Sequence, residues 1–162
     1  MQYTVNTIGY RKFEVLDSTG ALIGKLHSHS LFSGKEQLIL SEHEVYDIKQ
    51  KSFWSLTRQI FKNGYPFATI KPNLSGGTEI IFQSGITFYF KSKNFWRTEY
   101  VLTDYTEQLI ARLHAEYVWK KFNYNYRIDV VNKAFGQEID ALVPLLMGYC
   151  ITYLGRLTAS AV

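Results

Sequence analysis

At 162 residues the chain is the length of one domain, and its 46% hydrophobic and 20% charged residues are globular values that exclude a disordered polypeptide. A formal charge of +4 comes from eighteen Lys and Arg, scattered from Arg11 to Arg156, against fourteen Asp and Glu. That balance suits an anionic surface but lacks the concentrated basic stripe of a nucleic-acid binder, so no nucleic-acid partner is expected. Cys150 is the lone cysteine and excludes an internal disulfide. Residues Met1 to Phe13 carry no apolar signal core, and a cytoplasmic location is the expectation. Twelve Tyr, eleven Phe and three Trp, 16% of the chain, lean toward half-buried pleated surfaces.

Short alternating segments run from about residue 3 to 131. Phe13 and Val15 oppose Glu14, and after the turn Asp17-Ser18-Thr19-Gly20, Leu22, Gly24 and Leu26 oppose Ile23 and Lys25. His27 and His29 are two apart on one strand face, enough to clasp a metal but with no third ligand in view, so no metal or cofactor is assigned. Glu42 and Glu44, like Asp104 and Glu107, flank turns, where a solvated or turn-capping role is expected over acid–base chemistry. Asn63-Gly64 and Ser75-Gly76-Gly77 read as further turns, the latter lacking the Lys and helix of a phosphate loop. Ile86, Phe88 and Phe90 alternate with Thr87, Tyr89 and Lys91, and Tyr126, Ile128 and Val130 with Arg127 and Asp129. The run from Asp17 to His27 is echoed from Asp104 to His114 with six identical positions, which predicts one hairpin used twice.

The end of the chain differs in kind. From Ala141 to Gly155 fifteen residues carry no charge, between Asp140 and Arg156, as expected of a helix apolar on every side with charges matched to its dipole. Pro144 lies in its first turn if the helix begins at Asp140, or within a longer helix starting near Phe135. Fifteen residues span only about 22 Å, against about 30 Å of hydrocarbon, so a C-terminal membrane anchor is the lesser reading. Enclosure by the strands is the better one. The expected fold is one mainly β domain over residues 1–162: a closed antiparallel barrel of about twelve strands around a central hydrophobic helix at about 136–157. In that apolar helix Cys150 reads as a buried, inert thiol.

The strand and turn run Phe13-Glu14-Val15-Leu16-Asp17-Ser18-Thr19-Gly20-Ala21-Leu22-Ile23-Gly24-Lys25-Leu26, the following Leu31-Phe32-Ser33-Gly34 and the apolar stretch from Asp140 to Leu157 resemble the tubby C-terminal-like superfamily. The resemblance is closest to the small bacterial members of its LURP-one-related branch. It implies the same barrel over essentially the whole chain. Tubby proteins bind phosphoinositides and the related scramblases act at membranes, but the tubby signature, a cysteine-rich segment and an acidic calcium loop are missing here, so those activities are not carried over.

Two segments combine cations with large rings: Lys91-Ser92-Lys93-Asn94-Phe95-Trp96-Arg97, and Lys49, Lys51, Phe53 and Trp54. Rings at headgroup level with cations on phosphates would suit an anionic lipid surface. Strand alternation instead turns Phe and Trp inward and Lys and Arg to water, and alternation is the favoured reading of both segments. The functional expectation is a non-enzymatic binding or scaffold protein, peripheral at anionic phospholipid through Lys91, Lys93, Phe95, Trp96, Arg97, Lys49, Lys51 and Trp54. The alternatives are an enzyme or small-ligand carrier with a barrel pocket, and the anchored protein.

Overall fold

The computed structural model describes residues 1–9, 11–29, 34–41, 43–121 and 123–159. Leu31, Phe32, Ser33 and Glu42 lie outside the described residues. Twelve strands follow one another: β1 (Gln2–Gly9), β2 (Lys12–Asp17), β3 (Leu22–Ser28), β4 (Glu36–Ser41), β5 (Glu44–Gln50), β6 (Arg58–Lys62), β7 (Tyr65–Pro72), β8 (Thr78–Phe82), β9 (Thr87–Ser92), β10 (Glu99–Asp104), β11 (Leu109–Val118) and β12 (Asn123–Val130). A single helix, α1 (Gln137–Ala159), ends the chain. Each strand pairs antiparallel with its neighbours in sequence, and β1 pairs with β12, Tyr3 opposite Ile128, to close the ring. Closure leaves no strand edge open.

The period-two pattern determines which side chains face in. Val5, Phe13, Val15, Leu38, Ile48, Ile60, Ile70, Ile80, Phe88, Phe90, Leu113 and Ile128 are buried on the inner face. They meet Leu142, Leu145, Leu146, Met147 and Tyr149 of α1, which is enclosed all round over its middle turns. Cys150 is fully buried there, and desolvation pushes its thiol up to about 12, so it holds no thiolate at neutral pH. Two glycines let the helix approach the wall. A Cβ on Gly24 would fall 2.6 Å from the Ile39 carbonyl oxygen and 2.7 Å from Leu145, and one on Gly148 would fall 2.9 Å from the Phe13 ring.

The helix is longer than its uncharged run. It spans 23 residues, about 34 Å at 1.5 Å per residue, with Pro144 as its eighth residue, inside the helix rather than in the first turn. By length and composition it could cross a membrane, and 56% of its most apolar window is buried inside the barrel.

The internal echo is structural. Asp17 Oδ1 accepts hydrogen bonds from the backbone N–H groups of Thr19 (2.8 Å) and Ala21 (3.0 Å) and from the Thr19 hydroxyl. Asp104 Oδ1 does the same with Thr106 and Gln108. A bulge follows at the same place in each hairpin: Ile23 is the extra residue between the pairs Leu16–Leu22 and Val15–Gly24, and Ile110 between Thr103–Leu109 and Leu102–Ala111. The bulge corrects one expectation. It slips the phase of β3, so Leu22 is exposed although Gly24 and Leu26 face in.

Candidate functional site

Because strand direction alternates, the connections fall on two rims. The entry rim, where α1 begins, carries the turns after β2, β4, β6, β8 and β10. The exit rim, where α1 ends, carries those after β1, β3, β5, β7, β9 and β11. All three tryptophans of the chain lie at the exit rim and are exposed: Trp54 89%, Trp96 80% and Trp119 77%. Each has an aromatic partner in edge contact, Phe53 for Trp54, Phe95 for Trp96 and Tyr117 for Trp119, with ring centroids 4.8, 5.6 and 4.8 Å apart. Leu56 and Leu74 are exposed on the same rim.

This overturns the favoured reading of the two ring-and-cation segments. Phe53, Trp54, Phe95 and Trp96 do not point to the core, because they lie between strands, where the chain has left the pleat. The loops that carry them are held by their own polar residues. In the β5–β6 loop Gln50 Nε2 donates to the carbonyls of Phe53 (3.0 Å) and Ser55 (2.9 Å), and the Tyr153 hydroxyl of α1 donates to the Leu56 carbonyl at 2.7 Å. In the β9–β10 loop Asn94 Oδ1 accepts from Thr98 and Glu99 N–H, and Arg97 takes a left-handed backbone with φ 55°. The rings are thus offered on braced loops, which lowers the ordering entropy that binding would have to overcome.

Charge follows the same division. Among the described residues of the exit-rim connections there are Arg11, Lys35, Lys51, Lys93, Arg97, Lys120 and Lys121, and no Asp or Glu. Lys93 approaches Glu99 at 3.7 Å, at the base of its loop. Lys49 and Lys91 belong to the outer wall just below the rim, and Lys49 Nζ sits 5.1 Å from the centroid of the Phe61 ring. The structure therefore brings Lys51, Trp54, Lys93, Phe95, Trp96 and Arg97 to one end, with Lys49 and Lys91 flanking them. Trp119, Lys120, Lys121 and Leu74 were not singled out from sequence. The run Tyr117-Val118-Trp119-Lys120-Lys121 repeats the composition of the other two segments and was the available signal.

The helix is fastened at both ends. Near the entry rim the Glu138 carboxylate accepts from Lys62 and from the Tyr46 hydroxyl (2.9 Å). Lys62 holds the Glu138 carboxyl below its ordinary range, and burial pushes the Tyr46 hydroxyl up to about 12. Near the exit rim Glu36, 3% exposed, accepts from the Tyr149 hydroxyl (3.0 Å) and from Arg156, 12% exposed by side chain. Beyond that point α1 does not fill the lumen. Two clefts of about 430 and 470 Å³ flank its last turns and share Tyr126, Ile151 and Gly155.

The remaining candidates have structural partners. His27 and His29 share the outer face with ring centroids 4.8 Å apart, and His29 Nε2 meets Gln37 Oε1 at 2.8 Å. Among the described residues no three His, Cys, Asp or Glu side chains gather as metal ligands. Asp104 caps its turn, and Gly76 and Gly77 close the β7–β8 turn around Asn73.

No family model matches the sequence, and no curated protein matches it. Among solved structures, the X-ray structure of the Arabidopsis thaliana protein AT5G01750 is similar, with a TM-score of 0.64 over 97% of this chain and 90% of that one, at 13% identity. At that identity the likeness is one of fold.

Proposed function

We propose that this barrel is a peripheral binding protein that docks its exit rim on anionic phospholipid. The observation that carries the reading is the gathering of all three tryptophans, each with an aromatic partner, on a rim whose described connections hold cations and no carboxylate. Single exposed apolar residues are ordinary on protein surfaces, but several large ones on adjoining loops are not. Trp rings settle at the headgroup level, where their apolar body and indole N–H are both satisfied. Each Lys or Arg close to an anionic leaflet adds about 1 kcal/mol, a contribution that salt screens. The helix-filled lumen leaves the barrel's middle without the open cavity of a carrier, which favours a surface role over the carrier or enzyme reading.

The likeness in fold favours a finer reading, a small barrel of the LURP-one-related, tubby-like kind. A cytoplasmic protein recruited to the inner leaflet is the corresponding location. Co-sedimentation with phosphatidylcholine vesicles, with and without phosphatidylserine or phosphatidylinositol phosphate, tests the proposal. Binding is expected only with anionic lipid, with a blue shift of Trp emission and loss at high salt. A Trp54→Ala/Trp96→Ala/Trp119→Ala variant should lose at least tenfold in affinity. Absence of wild-type binding at low salt would overturn the proposal.

A further inference from the structure

The larger cleft beside the last turns of α1 has one apolar side and one polar mouth. Its inner walls are Tyr100, Tyr126, Ile151, Leu154 and Leu157, and its volume is about 470 Å³. Gly76, Ser92 and Arg97 also line a second cavity of about 460 Å³ at the β9–β10 loop, together with Lys91, Asn94 and Phe95. No described residue lining either cavity is an Asp or Glu. The Arg97 guanidinium makes no ion pair with any described residue, and the Tyr126 hydroxyl, at the cleft wall, makes no hydrogen bond with one. Desolvation pushes that hydroxyl up to about 12, in keeping with an apolar surrounding.

Gly155 borders both clefts. It lies on the helix between the two clefts, and a Cβ placed there meets nothing within 4 Å. A glycine inside a helix lowers stability relative to almost any other residue, yet no close approach requires it here, in contrast to Gly24 and Gly148. The space beside it, between helix and wall, is open to a larger side chain or to a ligand. An apolar slot of a few hundred Å³ beside a cationic mouth, with no Asp or Glu among the described lining, is complementary to one kind of molecule: a chain with an anionic head.

We propose that this pair of cavities binds a single-chain anionic amphiphile, with its hydrocarbon chain between α1 and the barrel wall and its charged head at Arg97 and Lys91. The site opens on the docking rim and so deepens the reading given above, but it does not need a bilayer to be filled. A guanidinium can hold a phosphate or carboxylate head through two parallel hydrogen bonds, and Lys91 adds a second charge.

Isothermal titration with 1-oleoyl lysophosphatidic acid, kept below its micelle concentration, tests the site apart from any membrane. Saturable one-to-one binding is expected. Gly155→Leu should weaken it by tenfold or more by filling the slot, while thermal stability holds or rises because the site is sterically open and helix propensity improves. Arg97→Gln should weaken it by about tenfold yet leave unchanged the binding of 1-monooleoylglycerol, whose head carries no charge. Vesicle co-sedimentation by Gly155→Leu should match the wild type, since the rim rings are untouched. Wild-type titration without saturable heat, or wild-type affinity in Gly155→Leu, would overturn this proposal even if vesicles bind. Titration as expected without vesicle binding would sink the docking proposal and leave this one standing.

Discussion

The two rims of the barrel are made from one chain with one strand pattern, and they differ in almost every other respect. Entry-rim connections between strands are no longer than four residues and include the two matched Asx turns at Asp17 and Asp104. Exit-rim connections reach seven residues, as at 29–35 and 51–57, and carry the exposed Trp and Phe rings and the cations, while the entry-rim turns expose only Tyr105 among the described aromatic residues. Short turns fix register and leave little surface to vary, whereas longer loops on a rigid scaffold can carry recognition. The barrel thus separates an end of short, register-fixing turns from an end of longer loops, the one the docking proposal uses.

Three changes would break or sharpen this contrast. The largest effect is expected from the helix fastenings, which differ in burial. Glu36→Ala removes the carboxylate that Arg156 and Tyr149 share inside the barrel and should cost about 3–5 kcal/mol. Glu138→Ala at the entry rim breaks a half-exposed pair with Lys62 and should cost no more than about 1 kcal/mol. Urea unfolding of both variants measures the difference, and equal losses would remove the asymmetry.

Acid should act from the entry end. Glu138, Asp17 and Asp104 are all held below their ordinary values, Glu138 first by the Lys62 hydrogen bond and the two aspartates first by the hydroxyls of Thr19 and Thr106. A carboxyl depressed on folding contributes stability that is fully present above its unfolded value, here 4.5 for Glu and 3.8 for Asp, and is lost as pH falls through the lower folded value. Melting temperature should therefore fall as pH drops below about 4.5. Asp17→Asn/Asp104→Asn/Glu138→Gln should flatten that slope, and an unchanged slope would place the acid sensitivity elsewhere.

The smallest effect is expected at Glu107, which occupies the left-handed position, φ 65°, that Gly20 fills in the matching hairpin. Glu107→Gly should raise stability by about 0.5–1 kcal/mol and leave vesicle binding unchanged. A change in vesicle binding would mean that the entry rim also takes part in recognition.

The architecture was legible because its signals are local or periodic. Alternation in segments such as Ile86–Lys91 identifies strands, and fifteen uncharged residues have no stable setting except enclosure. The repeat predicted a shared hairpin, and the matching Asp turns and bulges bear it out. Alternation predicts the wrong direction for the rim rings, although the sequence carries a sign against it. Phe53-Trp54 and Phe95-Trp96 are adjacent pairs, and adjacent residues in a strand face opposite ways, so at least one ring of each pair had to point outward. Leu22 was misplaced because a bulge shifts phase without changing composition. The Glu36–Arg156 contact joins residues 120 apart and leaves no local trace. The cleft at Gly155 is equally silent, since an empty volume has no residue type of its own.

Closure through β1 and β12 has a consequence for how the chain is made. The ring's two terminal strands are separated by more than a hundred residues, and the helix that fills it is synthesised after all twelve strands. Until α1 emerges, inward rings such as Phe13, Phe88 and Phe90 have no partner at the centre, so a complete barrel cannot set ahead of its own core. Such long-range pairing is slow by its topology, and the nascent strands would spend that interval as a sticky, half-wrapped sheet. The last 23-residue element is therefore the step that commits the chain, and truncating it should yield aggregates rather than an empty barrel.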